Sequence, residues 1–360
     1  MTERYLGIDQ GTQSSRAILF NQQGEIEASA QLAVSLLRDG ERCEQDGNEI
    51  LDSLTTVITS VIEQIGADPE QASEISAAGL ATQRSSVIAW DAKSGQPLSP
   101  LLSWSDRRGE AFIASIRHQE SLVRLRTGLP LTAYYGGSKI RWLLMQNRAV
   151  KKARQQQRLC IGPLASFLLF NLLQDSPYVV DHANALRTQL FNLDDLQWDA
   201  ELLDLYSVPQ HLLPEVKPTQ ADYGRIKAGN IPLMAVNGDQ TAALRTALSA
   251  SECGALVNVG SGAFILSSTG NRPMRSGNLL TGLFHSSSEQ REYLLEGTVN
   301  GAGSALQWLG HKMPSRGGCP RIEDLLRKRP FGQISRPLSL NSAAIRLKCT
   351  KNLTQNGVPS

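Results

Sequence analysis

The sequence predicts an α/β protein with mixed sheets, and two observations support that class. Pairs of short apolar stretches flank a glycine turn, as in a strand–turn–strand hairpin, at residues 5–20 and again at residues 254–269. Stretches with helical apolar spacing lie between these hairpins. Hairpins that alternate with helices indicate sheets covered by helices. A chain of 360 residues, 41% of them hydrophobic, is long enough for two such domains.

Each predicted element rests on its own pattern. In residues 48–66 the apolar residues recur at the spacing of one helix face, and Gly66 is a stop signal. Residues 232–244 predict a strand, a Gly-Asp turn and the start of a helix. The apolar residues 161–173 are too few to span a bilayer and predict a buried helix. The other predictions are strands at 25–36, 74–81 and 85–91, helices at 137–147 and 198–206, and a strand, glycine turn and helix at 292–310.

Charge and cysteine content narrow the classes of function. The formal net charge of +2 gives no indication of a nucleic-acid partner. Ten Lys or Arg and two acidic residues lie between His311 and Ser360, which leaves 26 basic and 32 acidic residues in the rest of the chain. Five scattered cysteines without CxxC spacing predict reduced thiols, and the N-terminus lacks a signal-peptide pattern. We therefore expect a cytoplasmic protein with a small-molecule substrate and no nucleic-acid or membrane partner, and a homodimer stays open.

The first glycine turn, in GIDQGTQSS, predicts an anion site. Gly11 lets the backbone come close to a ligand, and successive N–H groups in such a turn bind anions. Thr12, Gln13 and Ser14 add hydroxyl and amide donors. A bare phosphate would repel Asp9, but magnesium between the two would make the pair favourable. The alternative is that Asp9 caps the turn.

A second carboxylate, Asp239, lies between a predicted strand and a predicted helix in NGDQTAAL. That position suits a general base for a hydroxyl nucleophile, since it holds the carboxylate rigidly at the edge of a cleft. The helix dipole keeps such a carboxylate ionised, which is sufficient for phosphoryl transfer because little proton abstraction is needed early. The alternative is a helix N-cap.

A third group combines an arginine, a carboxylate and two aromatic rings. Arg84, Trp104, Asp106 and Tyr134 each lie at a strand end or in a loop with polar neighbours. Charged donors and acceptors can fix the hydroxyls of a polyhydroxylated ligand while rings cover its C–H faces. For Trp104 and Tyr134 the alternative is ordinary half-buried packing.

Together these stretches resemble the FGGY carbohydrate kinases, in order and spacing from about residue 4 to residue 310. The matching motifs are GIDQGTQSSRAILF, TQRSSVIAWD, WSDRRG, YYGGSKIRWLL, HANALRTQLFNLDDLQWDAELLDLYSVPQHLLPEV, GDQTAAL and NVGSGAFILSSTG. The resemblance implies an actin-like, ribonuclease-H-type fold and ATP- and Mg²⁺-dependent phosphorylation of a hydroxyl of a sugar or polyol. It implies a sugar- or polyol-binding domain at 1–245, the start of a nucleotide-binding domain at 246–330 and an atypical tail at 331–360.

The resemblance also implies roles for single residues. Asp9 becomes the magnesium-side acid, and Asp239 the catalytic base. The implied substrate contacts are Arg84, Trp104, Asp106, Tyr134, Asp239 and Gln240. The implied phosphate-binding residues are Gly11, Thr12, Gln13, Ser14 and Arg16 in the first turn, and Gly260, Ser261 and Gly262 in the second.

Two departures from the family pattern leave an alternative open. Glycerol kinases usually carry Glu after the matching Arg, whereas Ser85 follows Arg84 here; a site without that charged acceptor would hold glycerol less well, which leaves room for a larger sugar or sugar alcohol. From about Ile334 no family pattern continues, and the basic, Ser/Asn-rich end resembles a sequence read out of frame. The alternative function is therefore a catalytically inactive sugar-binding chain that lacks the adenosine site. An actin-like ATPase or chaperone is a weaker alternative, because the sugar-site motifs speak against it.

Overall fold

The fold is described from a computed structural model, which places residues 3–68, 72–248, 254–259, 263–299 and 344–348. The chain divides into two compact units. One comprises Met1–Arg245 and Thr269–Leu295, and the other comprises Thr246–Ser268 and Glu296–Ser360. The domain boundary expected after residue 245 stays a prediction. Unlike that prediction, the first unit also takes in Thr269–Leu295.

The described residues form strands and helices with the following bounds. The strands are β1 Arg4–Gln10, β2 Ser14–Asn21, β3 Ile26–Ala33, β4 Leu37–Asp39, β5 Arg42–Gln45, β6 Ile75–Thr82, β7 Val87–Asp91, β8 Leu101–Leu102, β9 Leu159–Pro163, β10 Val179–Asp181, β11 Phe191–Asn192, β12 Gln197–Trp198, β13 Glu215–Lys217, β14 Arg225–Ile226, β15 Ile231–Gly238, β16 Gly254–Val259, β17 Ala263–Gly270, β18 Leu280–Ser286, β19 Arg291–Val299 and β20 Ala344–Lys348. The helices are α1 Gly47–Gln64, α2 Glu110–Ser115, α3 Glu120–Thr127, α4 Gly136–Gln146, α5 Arg148–Gln155, α6 Leu164–Leu172, α7 His182–Leu186, α8 Ala200–Tyr206 and α9 Asp239–Leu248.

A six-stranded mixed sheet in the first unit has the order β14-β15-β6-β1-β2-β3. Strand β1 pairs antiparallel with β2 and parallel with β6, and β6 pairs parallel with β15. Gln10 is in register with Thr82, and Thr82 with Gly238. The carboxyl ends of three parallel strands therefore lie side by side at one edge of the sheet.

Helix α1 covers this sheet with its apolar face. Asp46 caps the helix, since its side chain accepts a hydrogen bond from the N–H of Asn48. The buried apolar residues of the helix follow the predicted spacing and are Ile50, Leu54, Val57, Ile58, Val61 and Ile62. They share one apolar core with residues of β1, β2, β6 and α6. Burial of each such side chain contributes roughly 1.5–3 kcal/mol to the stability of the fold. Helix α1 therefore stabilises the sheet whose strand ends are described above.

A second sheet, with the order β4-β5-β8-β7-β9, carries the other side of the candidate site. Strand β7 is buried along its whole length and pairs antiparallel with β9. Helix α4 and strands β7 and β9 contribute to a separate apolar core. The short strand β8 ends at Leu102, so the chain that follows it emerges at Trp104.

In the second unit, β16 pairs antiparallel with β17 and with β20. Val259 is the register partner of Ala263, which confirms the predicted hairpin. Its turn, which holds the predicted residues Gly260, Ser261 and Gly262, lies outside the described residues. The tail expected to be atypical contributes β20, within residues 331–360.

The predicted α/β class with mixed sheets is confirmed. The predicted helices 48–66 and 137–147 correspond to α1 and α4, and residues 232–244 form β15 and the start of α9. Short elements such as β4, β8 and α7 were not predicted, because two to five residues are too few to display a period. In the part of the chain that the structure describes, no helix combines the length and apolar character needed to span a membrane.

Candidate active site

The candidate site lies where β1, β6 and β15 end together. Gly11 follows β1, Arg84 follows β6 by two residues, and Asp239 follows β15 directly. The backbone N–H of Gln83 donates to the carbonyl oxygen of Gln10 at 2.8 Å, so strand pairing extends into the loops. The parallel sheet thereby brings together residues that are far apart in sequence.

Asp9 lies one residue before the end of β1 and is directly opposite Arg16 on β2. The residue is solvent-exposed, yet neighbouring protein atoms exclude part of the water around its carboxyl group. This desolvation raises the pKa of Asp9, repulsion from Asp239 raises it further, and Arg16 opposes the shift. Two neighbouring carboxylates that repel each other suit a cation between them or beside them.

The carboxylates near the end of β1 fit a magnesium ion that takes most of its ligands from water and substrate phosphates. Among the described residues, no group of three or more His, Cys, Asp or Glu side chains could hold a metal ion by themselves. Magnesium usually takes one or two carboxylates and completes its shell with waters and substrate phosphates. Asp9, with Asp239 near it, supplies carboxylates of that kind.

The glycine turn after β1 has free space above it. The N–H of Gly11 donates to the carbonyl oxygen of Ser14 at 2.9 Å, which closes the turn. A Cβ added at Gly11 would meet that oxygen at an ordinary distance of 3.5 Å, and the residue does not have a positive φ. The fold itself therefore does not require glycine here, and the space is available to a ligand. Thr12 and Ser14 are half-buried, whereas Gln13 and Arg16 are exposed.

Arg84 and Asp239 form an ion pair, with Arg84 Nε 3.7 Å from Asp239 Oδ1. Arg84 is buried and Asp239 retains 28% of its side-chain exposure. Gly238 allows this pairing, because a Cβ there would lie 2.4 Å from Arg84 Cγ and 2.5 Å from its Cδ. The N–H of Gln240, in the first turn of α9, donates to Asp239 Oδ1 at 2.7 Å. Arginine and helix N-terminus both stabilise the ionised carboxylate.

Asn237 fixes the turn that carries Asp239. Its Oδ1 accepts hydrogen bonds from the N–H of Gly238 at 2.8 Å and from Thr241 Oγ1 at 2.6 Å. Its Nδ2 donates to the carbonyl oxygen of Phe284 in β18 at 2.8 Å. The turn between β15 and α9 is thus held from both sides, and Gln240 is half-buried beside Asp239.

The two predicted aromatic residues form one wall. The ring centroids of Trp104 and Tyr134 are 6.3 Å apart and tilted by 38°. Both side chains are half-buried, so each ring leaves part of its surface to solvent. Trp104 also contacts the glycine turn, because its Nε1 donates to Thr12 Oγ1 at 3.0 Å.

Asp106 has a position that differs from the predicted substrate contact. It is fully buried, and its Oδ2 accepts hydrogen bonds from the N–H of Cys43 at 2.8 Å and from Arg108 Nη2 at 2.7 Å. Its Oδ1 accepts from Arg108 Nε at 2.9 Å. The neighbouring arginine folds back over the carboxylate, so the geometry favours a role in supporting the loop of Trp104 over contact with a ligand.

Buried glutamines support the glycine turn, and sequence reasoning missed them. Gln83 Nε2 donates to Gln10 Oε1 at 3.2 Å and to Gln45 Oε1 at 2.9 Å. Gln45 Nε2 in turn donates to the carbonyl oxygen of Thr12 at 3.0 Å. A satisfied buried network of this kind rigidifies its surroundings. Only the position of Gln83 beside Arg84 hinted at it.

Lys139 is a second residue that sequence reasoning missed. Its fully buried ammonium group donates to the carbonyl oxygens of Ala133, Tyr134 and Tyr135, at 3.1, 2.6 and 3.3 Å, and to that of Trp104 at 3.3 Å. Burial lowers the pKa of Lys139 to about 7, an effect that Asp106 opposes. Lys139 therefore ties the backbones of both aromatic wall residues to one point.

Solved structures identify the class of fold. The structure is similar to a crystal structure of Plasmodium falciparum glycerol kinase with ADP, with a TM-score of 0.78 and 27% identity, over 86% of this chain and 64% of that one. A xylulose kinase from Rhodospirillum rubrum matches with a TM-score of 0.74 and 21% identity, over 85% and 62% of the two chains. The protein therefore has the actin-like ATPase fold that these kinases share.

Sequence comparisons identify the family. A model described as "FGGY family of carbohydrate kinases, N-terminal domain" matches residues 4–244. A glycerol kinase of Burkholderia vietnamiensis is 35% identical over 339 residues, which is 92% of this chain and 67% of the relative. One of Oceanobacillus iheyensis is 37% identical over 320 residues, or 86% and 63%. The chain belongs to the FGGY family of carbohydrate kinases, and it spans about two thirds of the length of these relatives.

Proposed function

We propose that this protein binds a sugar or polyol and phosphorylates one of its hydroxyls with ATP. The observation that carries the proposal is the convergence of three separately predicted groups. They are the glycine turn at Thr12, the carboxylate of Asp239, and the group that includes Arg84, Trp104 and Tyr134. Trp104 donates to Thr12, Arg84 pairs with Asp239, and the turn and Asp239 follow strands whose ends are in register. An anion-binding turn and a carboxylate suit phosphoryl transfer, and an aromatic wall suits the binding of a sugar.

In this proposal each group has a separate task. Asp239 accepts the proton of the attacking hydroxyl, and Arg84 with the Gln240 N–H holds the carboxylate in position. Trp104 and Tyr134 cover the C–H faces of the substrate, and Arg84 and Gln240 bind its hydroxyls. The turn from Gly11 to Ser14, with Arg16, receives phosphate oxygens. Catalysis then depends on positioning and charge stabilisation, as phosphoryl transfer generally does.

Asp9 is the carboxylate that would hold magnesium, with Asp239 near it. When bound, the metal supplies charge neutralisation for the phosphate oxygens. Asp9 is well placed for that role because its pKa is raised by desolvation and by Asp239, both of which a cation would relieve. Gly260, Ser261 and Gly262 remain proposed as the second phosphate turn, outside the described residues.

The substrate class is proposed as a polyol or sugar other than glycerol. Ser85 follows Arg84 in a left-handed backbone conformation with φ of +65° and is buried. A serine there offers no charged acceptor for a hydroxyl, so a small polyol would lose one anchoring contact. A larger sugar or sugar alcohol can compensate with more hydroxyls on Arg84 and Gln240. We also propose a cytoplasmic location, where the buried thiols of Cys43 and Cys160 stay reduced.

The test is a coupled ADP-release assay with MgATP and a panel of polyols and pentoses, joined to calorimetric binding of the same panel. We expect turnover with at least one member and a loss of about 10²–10⁴-fold in Asp239→Asn, the range typical of a general base. A matched control is Asp222→Asn, which changes an exposed acid whose carboxyl group accepts from Gly224 in a loop. Binding without turnover would favour the non-catalytic sugar-binding alternative, and an absence of both would reject the proposal.

A further inference from the structure

Trp104 contacts the glycine turn through a single donor. Its Nε1–H donates to Thr12 Oγ1 at 3.0 Å, over 92 residues of sequence separation. We propose that Trp104 is a positioning residue for Thr12 and that this hydrogen bond couples occupancy of the polyol wall to anion binding at the turn. The inference rests on the proposed function, because it assigns the wall to a polyol and the turn to phosphate.

The chemistry of the two groups gives the bond its direction. An indole N–H can only donate, whereas a hydroxyl has one proton to donate and two lone pairs that accept. Since one lone pair of Thr12 receives the indole proton, the hydroxyl proton of Thr12 points away from Trp104. A hydroxyl that accepts one hydrogen bond becomes a better donor in the next. Thr12 is thereby prepared to donate to an anion above the turn.

Both backbones around this bond are already fixed. The N–H of Trp104 donates to Ser86 Oγ at 3.0 Å, and its carbonyl oxygen accepts from Lys139. The carbonyl oxygen of Thr12 accepts from Gln45 Nε2. What stays adjustable is the orientation of the indole ring and of the Thr12 hydroxyl. A polyol that packs on the indole restricts the orientation of the ring. Because Thr12 is hydrogen-bonded to the indole N–H, its hydroxyl is then restricted as well.

The consequence is a reciprocal effect between two ligands. If a bound polyol orders the Thr12 hydroxyl, an anion at the turn binds more tightly, and by thermodynamic linkage the anion tightens polyol binding by the same factor. One neutral hydrogen bond makes the expected factor about three- to ten-fold.

Calorimetry on the full chain measures this factor with defined probes. Inorganic triphosphate with Mg²⁺ is titrated with and without a saturating polyol or pentose, the one that binds tightest in the panel above. In the parent protein we expect triphosphate to bind about three- to ten-fold more tightly in the presence of the polyol. Trp104→Phe keeps an aromatic ring without the donor, and Thr12→Val keeps the shape without the acceptor; both should remove the enhancement. Thr12→Ser keeps the hydroxyl and should retain it.

A spectroscopic readout tests the bond itself. The chain has five tryptophans, and Trp104→Phe identifies the Trp104 signal among the ¹⁵N-labelled indole N–H resonances. Thr12→Val should shift that resonance and speed its exchange with solvent, while Thr12→Ser should leave it near its original position. A double variant should lose no more coupling than either single variant.

The outcomes separate the two proposals. If both probes bind but the enhancement is equal in the parent and in Trp104→Phe, or is absent in the parent, the coupling is wrong, and the proposed function is decided separately by the turnover assay. If the folded parent binds no member of the panel and no triphosphate, both are wrong. An indole signal that is insensitive to Thr12→Val also overturns the coupling.

Discussion

Gly238→Ala tests how the strand end sets the Arg84–Asp239 geometry. The new Cβ would lie 2.4 Å from Arg84 Cγ, whereas ordinary contacts begin at about 3.4 Å, so the arginine stem must retreat by about 1 Å. Arg84 is buried and has little room to do so. Its Nε is 3.7 Å from Asp239 Oδ1, and a retreat of that size along the pair lowers the attraction to about four fifths, since Coulomb energy falls inversely with distance.

The larger cost is steric. Overpacking of a well-packed site by one methyl group typically costs about 1–3 kcal/mol, and we expect Gly238→Ala to lower the free energy of unfolding by that amount. Polyol binding should weaken as well, because the guanidinium and the carboxylate no longer keep their spacing. Urea unfolding and calorimetric titration of the polyol measure the two effects.

Two further variants test whether the contact with Arg84 causes this cost. Gly79→Ala lies in the neighbouring strand β6, where an added Cβ meets Ala235 at an ordinary 3.9 Å, and it should change neither stability nor binding appreciably. In an Arg84→Ala background the obstructing stem is gone, so Gly238→Ala should cost less by about 0.5–3 kcal/mol than in the parent. An equal cost in both backgrounds would show that the contact with Arg84 is not the reason for the glycine.

Three further predictions concern the same unit. Gly11→Ala should leave stability unchanged or raise it by about 0.4–1 kcal/mol in urea unfolding, since the site has room, yet weaken triphosphate binding; a marked loss of stability with intact binding would contradict this. Asp9→Asn should raise the free energy of unfolding at neutral pH, because the raised pKa means that the ionised group costs stability above that pKa, while Mg²⁺-dependent triphosphate binding is lost; a less stable variant would contradict it. Burial lowers the pKa of His182 to about 4, so the unfolded chain takes up this proton first as the pH falls below 6.5, and stability falls with it. Asp181, whose pKa burial raises to about 6, acts in the opposite direction below pH 6. From pH 7 to pH 5 the free energy of unfolding of His182→Gln should therefore fall by roughly 2 kcal/mol less than that of the parent. Urea unfolding at the two pH values measures this change, and the same change in both proteins would refute the assignment.

Much of the fold was predictable because long elements display their period. Residues 48–66 were predicted as a helix with one buried face, and α1 buries the expected residues. The strand, Gly-Asp turn and helix at residues 232–244 were predicted for the same reason, and they form β15 and α9. The strand pairings themselves were not predictable, since parallel partners such as β1 and β6 lie some seventy residues apart and no local pattern specifies their register.

In the candidate site, too, local sequence identified individual residues, whereas their contacts required the tertiary structure. Asp9, Arg84 and Asp239 were singled out as charged residues at strand ends or beside a glycine, and Trp104 as an aromatic ring in a loop with polar neighbours. Asp106 was singled out by the same criterion, but only the tertiary structure reveals that Arg108 and the Cys43 N–H occupy its carboxylate. Its burial depends on atoms from a strand more than sixty residues earlier.

The sequence by itself determined the class of the chain, its first glycine turn and the chemical types of the site residues, because these follow from local periodicity and local composition. Only the tertiary structure decided that Gln10, Thr82 and Gly238 end in register, so that Asp239 meets Arg84. It also decided that Lys139 is hydrogen-bonded to the backbone of the aromatic wall and that Gln83 belongs to the glutamine network that supports the glycine turn. The physical reason is that hydrogen bonds and ion pairs depend on distances of a few ångströms, and long-range packing alone sets those distances.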